Sequence, residues 1–177
     1  TRSSKVAIAF ENKNIQFIND VSSGFHDSNM LNTVSKLGCA FIMTHMPREH
    51  KEGKVKVFDN ILTEINEYFI ERIESCKKAG IEKDKLIIDP GVGFGKSGED
   101  NITLLNNIES LKRVHENVCV GSSNKRYSSR LFENIQTKED LKIANLATFA
   151  TSTLSDATFL RVHDVEPVSY THLRAHE

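Results

Sequence analysis

Short apolar runs alternate with longer amphipathic segments along most of the chain, and this alternation constrains the fold more than any other feature. The runs are bounded by polar residues and are rich in Ile, Val and Phe, as buried strands are. Five of them are predicted to be strands: Gln16–Asn19, Cys39–Thr44, Leu86–Asp89, Val118–Gly121 and Ala157–Val162.

Helical periodicity fills the segments between these runs, where apolar residues recur at spacings of three and four. Four helices are predicted: Asn29–Leu37, Val57–Ala79, Asn101–Val114 and Lys138–Thr153. Gly38 and Gly80 stand where C-terminal helix caps belong. Strand–helix alternation predicts βαβ units and a parallel α/β sheet. A complete eight-stranded barrel needs about 250 residues. The 177 residues present therefore favour a doubly wound sheet on length alone.

Composition excludes several classes of protein. The net charge of −1 gives no global attraction to nucleic acid or to a membrane surface. The three cysteines are far apart and match no zinc spacing, which indicates a reducing compartment. No apolar stretch approaches about 18 residues, and the N-terminus lacks the apolar core of a secretory signal. We expect a cytoplasmic globular protein, or a mitochondrial one in a eukaryotic source.

Polar residues collect at the C-terminal end of every predicted strand, and in α/β folds this end of the sheet binds ligands. They are Asn19-Asp20, Thr44-His45, Asp89, Ser123-Asn124-Lys125, and Arg161 with His163. A carboxylate, an amide and several cationic groups suit a ligand with a hydrogen-bonding heterocycle and an anionic group. The loop DPGVGFGK (89–96) allows two interpretations: a strand-to-helix turn with glycines at positive φ, or a ligand loop.

Five motifs together resemble dihydropteroate synthase: FINDVSSG, IMTHM, DPGVGFGK, VGSSNK and LRVHDV, in the family's order and at roughly its spacing. The resemblance covers residues 1–166. It implies a partial (β/α)8 TIM barrel with a parallel sheet, comprising strands 4–8, without strands 1–3 and the last helix. We expect one incomplete pterin-binding domain (1–166). The remainder, 167–177, is expected to be a non-native or disordered tail, similar to a translated sequencing adapter.

The implied reaction joins 6-hydroxymethyl-7,8-dihydropterin pyrophosphate to p-aminobenzoate, giving 7,8-dihydropteroate and pyrophosphate in folate biosynthesis. The resemblance implies that Asn19, Asp89 and Lys125 bind the pterin. Phe94 and Ser123 would lie on the aminobenzoate side, and Arg161, His163 and Ser123 would bind the pyrophosphate. The catalytic residues would be Lys125, Arg161 and His163. Mg²⁺ would be the cofactor, held by the pyrophosphate and by the absent N-terminal part, so no metal ligand is predicted here.

Three positions depart from the family pattern. Asn124 replaces an arginine, Thr44 replaces a methionine that packs on the pterin, and Asp156 stands at a usual glycine. A methyltetrahydrofolate:corrinoid methyltransferase-like enzyme and a non-catalytic pterin-binding remnant are the alternatives. We expect small-molecule substrates, no nucleic acid or membrane partner, a homodimer at full length, and an inactive isolated fragment. Fusion to hydroxymethyldihydropterin pyrophosphokinase stays open.

Overall fold

Parallel strands flanked by helices make up the protein. The computed structural model describes residues 1–121, 137–163 and 165–169. The strands are β1 (Phe17–Asp20), β2 (Ala40–Thr44), β3 (Leu86–Asp89), β4 (Cys119–Val120) and β5 (Phe159–Leu160). The helices are α1 (Ser4–Ile8), α2 (Met30–Leu37), α3 (Arg48–Lys51), α4 (Ile61–Lys78), α5 (Gly98–Asn106), α6 (Ile108–Val114), α7 (Lys138–Leu154) and α8 (Val165–Ser169). Short 3-10 turns lie at Glu11–Lys13 and Lys83–Lys85.

The strands run parallel in chain order. β1 pairs with β2 and β2 with β3, while β4 pairs with β5. A parallel bridge between Ile88 and Val118 joins the two groups. A doubly wound sheet reverses its strand order part-way across, and the strand order found here does not. Sequential order is that of a barrel wall. The preference for a doubly wound sheet from chain length alone is therefore wrong.

The helices begin and end near their predicted positions because local signals specify the ends. Asn60 caps α4 by accepting a hydrogen bond from the Thr63 N–H, and Gly38 ends α2 at a φ of 64°. One predicted helix, Asn101–Val114, is instead two. It breaks at Asn107, whose side-chain amide donates to the Thr103 carbonyl at 2.8 Å and so competes with the helical pattern.

The core lies between the outer face of the strands and the helices. Phe41 and Met43 of β2 are fully buried against this side, and Phe69 and Cys76 of α4 are buried with them. The Cys76 thiol lies 3.5 Å from the Met43 sulfur, so α4 covers β2 directly. Burying a side chain such as Phe69 contributes about 1.5–3 kcal/mol. Within the described ranges, no helix is long and apolar enough to cross a membrane.

The inner face of the strands carries a different set of side chains. Alternation along each strand and the parallel register place Phe17, Asn19, Thr44, Asp89 and Phe159 on this face. The rings of Phe17 and Phe159 meet edge to face, with centroids 6.3 Å apart. Because these residues lie on the first and last strands, the sheet curves until its two ends face each other.

The predicted boundary at residue 166 falls inside a helix. α8 spans Val165–Ser169, and Val168 is 7% exposed. The rest of the predicted tail, from residue 170, lies outside the described residues.

Candidate functional site at the carboxyl ends of the strands

Four polar side chains meet where the strands end. Asn19 belongs to β1, Thr44 ends β2, Asp89 ends β3, and Arg161 follows β5. Thr44 and Asp89 are fully buried, whereas Asn19 and Arg161 are half-buried. Parallel strands in register deliver their last residues to one edge of the sheet, so residues up to 142 positions apart come into hydrogen-bonding contact.

Asp89 is the centre of this cluster. Its Oδ1 accepts a hydrogen bond from the Gly91 backbone N–H at 2.8 Å. Its Oδ2 forms an ion pair with Nη1 of Arg161 at 2.7 Å and accepts a longer bond from the Thr44 hydroxyl at 3.4 Å. Bonds from a cation to a carboxylate are about twice as strong as neutral ones. A buried carboxylate needs such donors, because an unpaired buried charge is costly.

Asn19 presents its oxygen beside Asp89. The Asn19 Nδ2 donates to the Thr44 hydroxyl oxygen at 3.3 Å, and its Oδ1 accepts from Nη1 of Arg161 at 2.9 Å. One guanidinium nitrogen therefore bonds two acceptors, Asn19 Oδ1 and Asp89 Oδ2. We call these two oxygens the acceptor pair. A ligand placed there must offer hydrogen-bond donors, because both oxygens accept.

Gly121 makes room for the guanidinium. A Cβ atom at this position would lie 2.2 Å from Nη2 of Arg161, which is far inside van der Waals contact.

Burial alone would lower the pKa of Arg161, but the nearby Asp89 and Cys119 outweigh that effect and raise it. For the Cys119 thiol, whose charged form is an anion, burial has the opposite effect and raises the pKa to about 12, with a further contribution from Asp89. This thiol is therefore protonated and unreactive at neutral pH.

The loop after β3 folds tightly beside the acceptor pair. Gly91, Gly93 and Gly95 all have positive φ, as the turn interpretation of DPGVGFGK requires. The Phe94 ring lies edge-on against the His50 ring, with centroids 4.9 Å apart. The Asn101 side chain accepts from the Gly93 N–H at 2.8 Å, which anchors the loop to α5. The loop is thus fixed by neighbours on both sides.

The predicted site residues fall into three groups. Asn19, Asp89 and Arg161 meet in one hydrogen-bonded cluster. Phe94 and His163 do not belong to that cluster: Phe94 contacts His50, and His163 is exposed at the end of its segment. Ser123 and Lys125 lie outside the described residues, as does the substituted Asn124.

Sequence reasoning missed two contributors and singled out one residue whose contacts are local. Thr44 was noted at a strand end and as a departure from the family pattern but was given no role in the site, yet its hydroxyl links Asn19 to Asp89. Gly121 ends the predicted strand Val118–Gly121 and belongs to the motif VGSSNK, but it was given no role of its own. Asp20, in contrast, is fully buried and accepts from Ser22 and Gly24, so it closes the turn after β1.

Metal ligands were not predicted in this chain, and Mg²⁺ was expected to be held from elsewhere. Across residues 1–121, 137–163 and 165–169, no group of three or more His, Cys, Asp or Glu side chains is arranged to hold a metal ion. Both oxygens of the acceptor pair bond to Arg161. Because Mg²⁺ requires octahedral coordination, two oxygens alone do not form a magnesium site.

Parallel strands with hydrogen-bond acceptors at their carboxyl ends are the arrangement at which α/β proteins bind ligands. The family model described as pterin binding enzyme matches residues 1–163, and the chain belongs to that family. The resemblance inferred from the five motifs is thereby confirmed.

Relatives and solved structures agree with this membership. The dihydropteroate synthase of Escherichia coli K12 is 33% identical over 150 residues, covering 84% of this chain and 52% of that protein. A mitochondrial folate synthesis bifunctional protein of Pisum sativum is 29% identical over 175 residues, covering 92% of this chain and 34% of its own length. The chain therefore spans about half the length, or less, of these relatives.

A solved structure gives the fold comparison. The dihydropteroate synthase of Xanthomonas albilineans with 4-aminobenzoic acid superimposes with a TM-score of 0.88 at 30% identity, covering 97% of this chain and 60% of that one. The same enzyme in complex with 7,8-dihydropteroate gives a TM-score of 0.88, covering 62% of that chain. The fold is a partial match to the barrel of dihydropteroate synthase.

Proposed function

We propose that the full-length protein carrying this chain is a dihydropteroate synthase. It condenses 6-hydroxymethyl-7,8-dihydropterin pyrophosphate with p-aminobenzoate, giving 7,8-dihydropteroate and pyrophosphate. The five strands take the places of the fourth to eighth strands of the barrel. Membership of the family and the relatives at about 30% identity support this proposal.

One observation carries the assignment of the pterin pocket. Asn19 Oδ1 and Asp89 Oδ2 both bond to the guanidinium of Arg161. The 2-amino group and adjacent ring N–H of a pterin form an N–C–N donor edge like that of guanidinium. Such an edge complements an acceptor pair and satisfies a buried carboxylate as Arg161 does. We propose that the pterin replaces Arg161 on these oxygens.

Arg161 then has a second role. Displaced from Asp89, its cation remains close to the pterin and faces the pyrophosphate group together with His163 and Ser123. Lys125 contacts the pterin ring edge. The aminobenzoate lies on the side of Phe94 and Ser123. Loops after the seventh and eighth barrel strands commonly bind phosphate, which supports this division of roles.

The chemistry is a dissociative substitution. The bond between the pterin methylene carbon and the pyrophosphate oxygen breaks, and pyrophosphate leaves with the electron pair. The pterin ring system stabilises the carbocation, and the arylamine nitrogen forms the new bond and releases a proton. The protein mainly positions the reactants and stabilises charge. Mg²⁺ would neutralise pyrophosphate charge, although the described residues do not form its site.

The test is product formation by the purified full-length protein. Pyrophosphate release that depends on p-aminobenzoate, with dihydropteroate identified by mass spectrometry, is the expected result. Binding of the pterin without release would favour a non-catalytic pterin-binding protein. Methyl transfer from methyltetrahydrofolate would favour the corrinoid methyltransferase class. We also propose that the full-length protein forms a homodimer, which its molecular mass in solution would test. Fusion to the preceding pathway kinase would be tested by the full-length sequence.

A further inference from the structure

The ammonium group of Lys96 is buried at the end of the loop that follows β3, and the residue is 3% exposed. It donates to three backbone carbonyls: His45 at 3.1 Å, Gly91 at 3.0 Å and Phe94 at 3.2 Å. An ammonium carries three N–H donors, and the three carbonyls match that number. Lys96 thus makes the bonds of a structural cross-link rather than those of a solvent-facing cation.

The cross-link joins two loops of the candidate site. His45 follows β2, whereas Gly91 and Phe94 belong to the loop after β3. Between these loops there is no room for added atoms: a Cβ at Gly91 would lie 2.0 Å from the His45 carbonyl oxygen, and one at Gly95 would lie 2.9 Å from Pro47. Tight packing of this kind leaves the carbonyls away from water, so a protein donor must satisfy them.

We propose that Lys96 is a positioning residue for the aminobenzoate side of the site. This proposal rests on the proposed function. It holds the Phe94 backbone and acts on substrate through Phe94. Losing the ammonium would leave buried carbonyls unsatisfied, and the loop would open to hydrate them. The Gly91 N–H of this loop donates to the Asp89 carboxylate, but the Asp89 backbone is fixed in β3 by the β2–β3 register and its other oxygen is bonded by Arg161, so the pterin side should be largely retained.

The experiment uses Lys96→Met in the full-length protein, because methionine keeps the side-chain bulk and removes the donors. The matched control is Lys36→Met, at an exposed lysine of α2 that pairs only with Glu11 among the described residues. Steady-state kinetics would be measured for each substrate in turn. We expect the KM for p-aminobenzoate to rise by about tenfold or more, and the KM for the pterin pyrophosphate to change by less than about threefold. Equal changes in both KM values, or no change in either, would overturn the proposal.

A second measurement does not depend on activity. Hydrogen exchange in Lys96→Met should become faster in the segments 45–50 and 90–96 while strand β3 stays protected. Exchange that is faster in 90–96 alone would show that the cross-link does not join the loops. Loss of protection throughout would show that Lys96 supports the whole fold; either result overturns the proposal. Absence of dihydropteroate formation by the unsubstituted protein, with the expected exchange pattern in the variant, would instead contradict the proposed function.

Discussion

Nη1 of Arg161 lies 2.7 Å from Oδ2 of Asp89, and the same nitrogen lies 2.9 Å from Oδ1 of Asn19. A residue predicted for pyrophosphate thus contacts two residues predicted for the pterin. The relationship implies an exchange of partners. In the mechanism we propose, the pterin edge would take the acceptor pair, and Arg161 would move to the anionic group of the same substrate.

Arg161→Ala should separate the two ligand types. We expect affinity for pterin pyrophosphate to fall by about tenfold or more, because a cation facing the pyrophosphate is lost. Affinity for free pterin should stay unchanged or increase, because the acceptor pair no longer has an internal competitor. Isothermal titration of both ligands checks this. Equal loss for the two ligands would argue against a dedicated role toward pyrophosphate.

His45 should make stability fall with acid. Burial lowers the pKa of His45 from 6.5 to about 2, with smaller contributions from Lys96 and Lys56. The unfolded chain therefore takes up a proton below about pH 6.5 while the folded protein does not. The contribution of neutral His45 to the free energy of unfolding is therefore fully present above about pH 6.5. It is lost as the pH falls toward 2, at up to about 1.4 kcal/mol per pH unit.

The measurement is urea unfolding of the full-length protein from pH 7 to pH 5. His45→Gln should show a shallower loss than the unsubstituted protein, and His26→Gln, at an exposed position, serves as the control. Identical slopes in the His45 variant and the unsubstituted protein would show that His45 takes up its proton without unfolding.

The sequence predicted the elements well where the signal is local. β3 was predicted to the residue as Leu86–Asp89, and α7 to within one residue, since Thr137 and Asp140 form a capping box at its start. Asp89 and Asn19 were predicted to share a site because both end parallel strands. Pairing of Arg161 with Asp89 was not predictable, since it depends on which partner a long cationic side chain reaches across the sheet.

Other features required the tertiary structure. The sequence assigned no role to the lysine of DPGVGFGK, and only the packing of a second loop shows that its partners are carbonyls. Asp156 looked like an unfavourable replacement for glycine. Its φ of 65° is indeed left-handed, but Lys112 bonds both its carboxylate and its carbonyl.

Asp156 gives a prediction about stability. Asp156→Gly should have a free energy of unfolding within about 1 kcal/mol of that of the unsubstituted protein. Glycine adopts the left-handed backbone more easily, and this offsets the lost bond between the carboxylate and Lys112. Asp156→Ala loses the bond and keeps the strain, so it should be less stable by about 1–2 kcal/mol. Denaturant unfolding of both variants checks the difference. Equal stability of the Ala and Gly variants would show that the left-handed conformation carries no cost.

The 177-residue chain expressed alone should be inactive and should unfold without a sharp transition. In the described part of the chain, β1 pairs only with β2 and β5 only with β4, so each has an open edge. Phe17 and Phe159 are 48% and 37% exposed on the inner face. A thermal melt with and without pterin pyrophosphate is the measurement. A cooperative melt that the ligand shifts upward would show a self-sufficient binding domain.

The central claim is that the acceptor pair binds the donor edge of a pterin, and Asp89→Asn in the full-length protein tests it most directly. The amide would turn an N–H donor toward a ligand donor, or lose the charge-assisted bond, at a cost of about 1.5–3 kcal/mol. Asp59→Asn, at an exposed position before α4, is the matched control. Titration with a pterin analogue should show binding weakened by about tenfold to a hundredfold in Asp89→Asn and unchanged in the control. Affinity equal to that of the unsubstituted protein in Asp89→Asn would contradict the account.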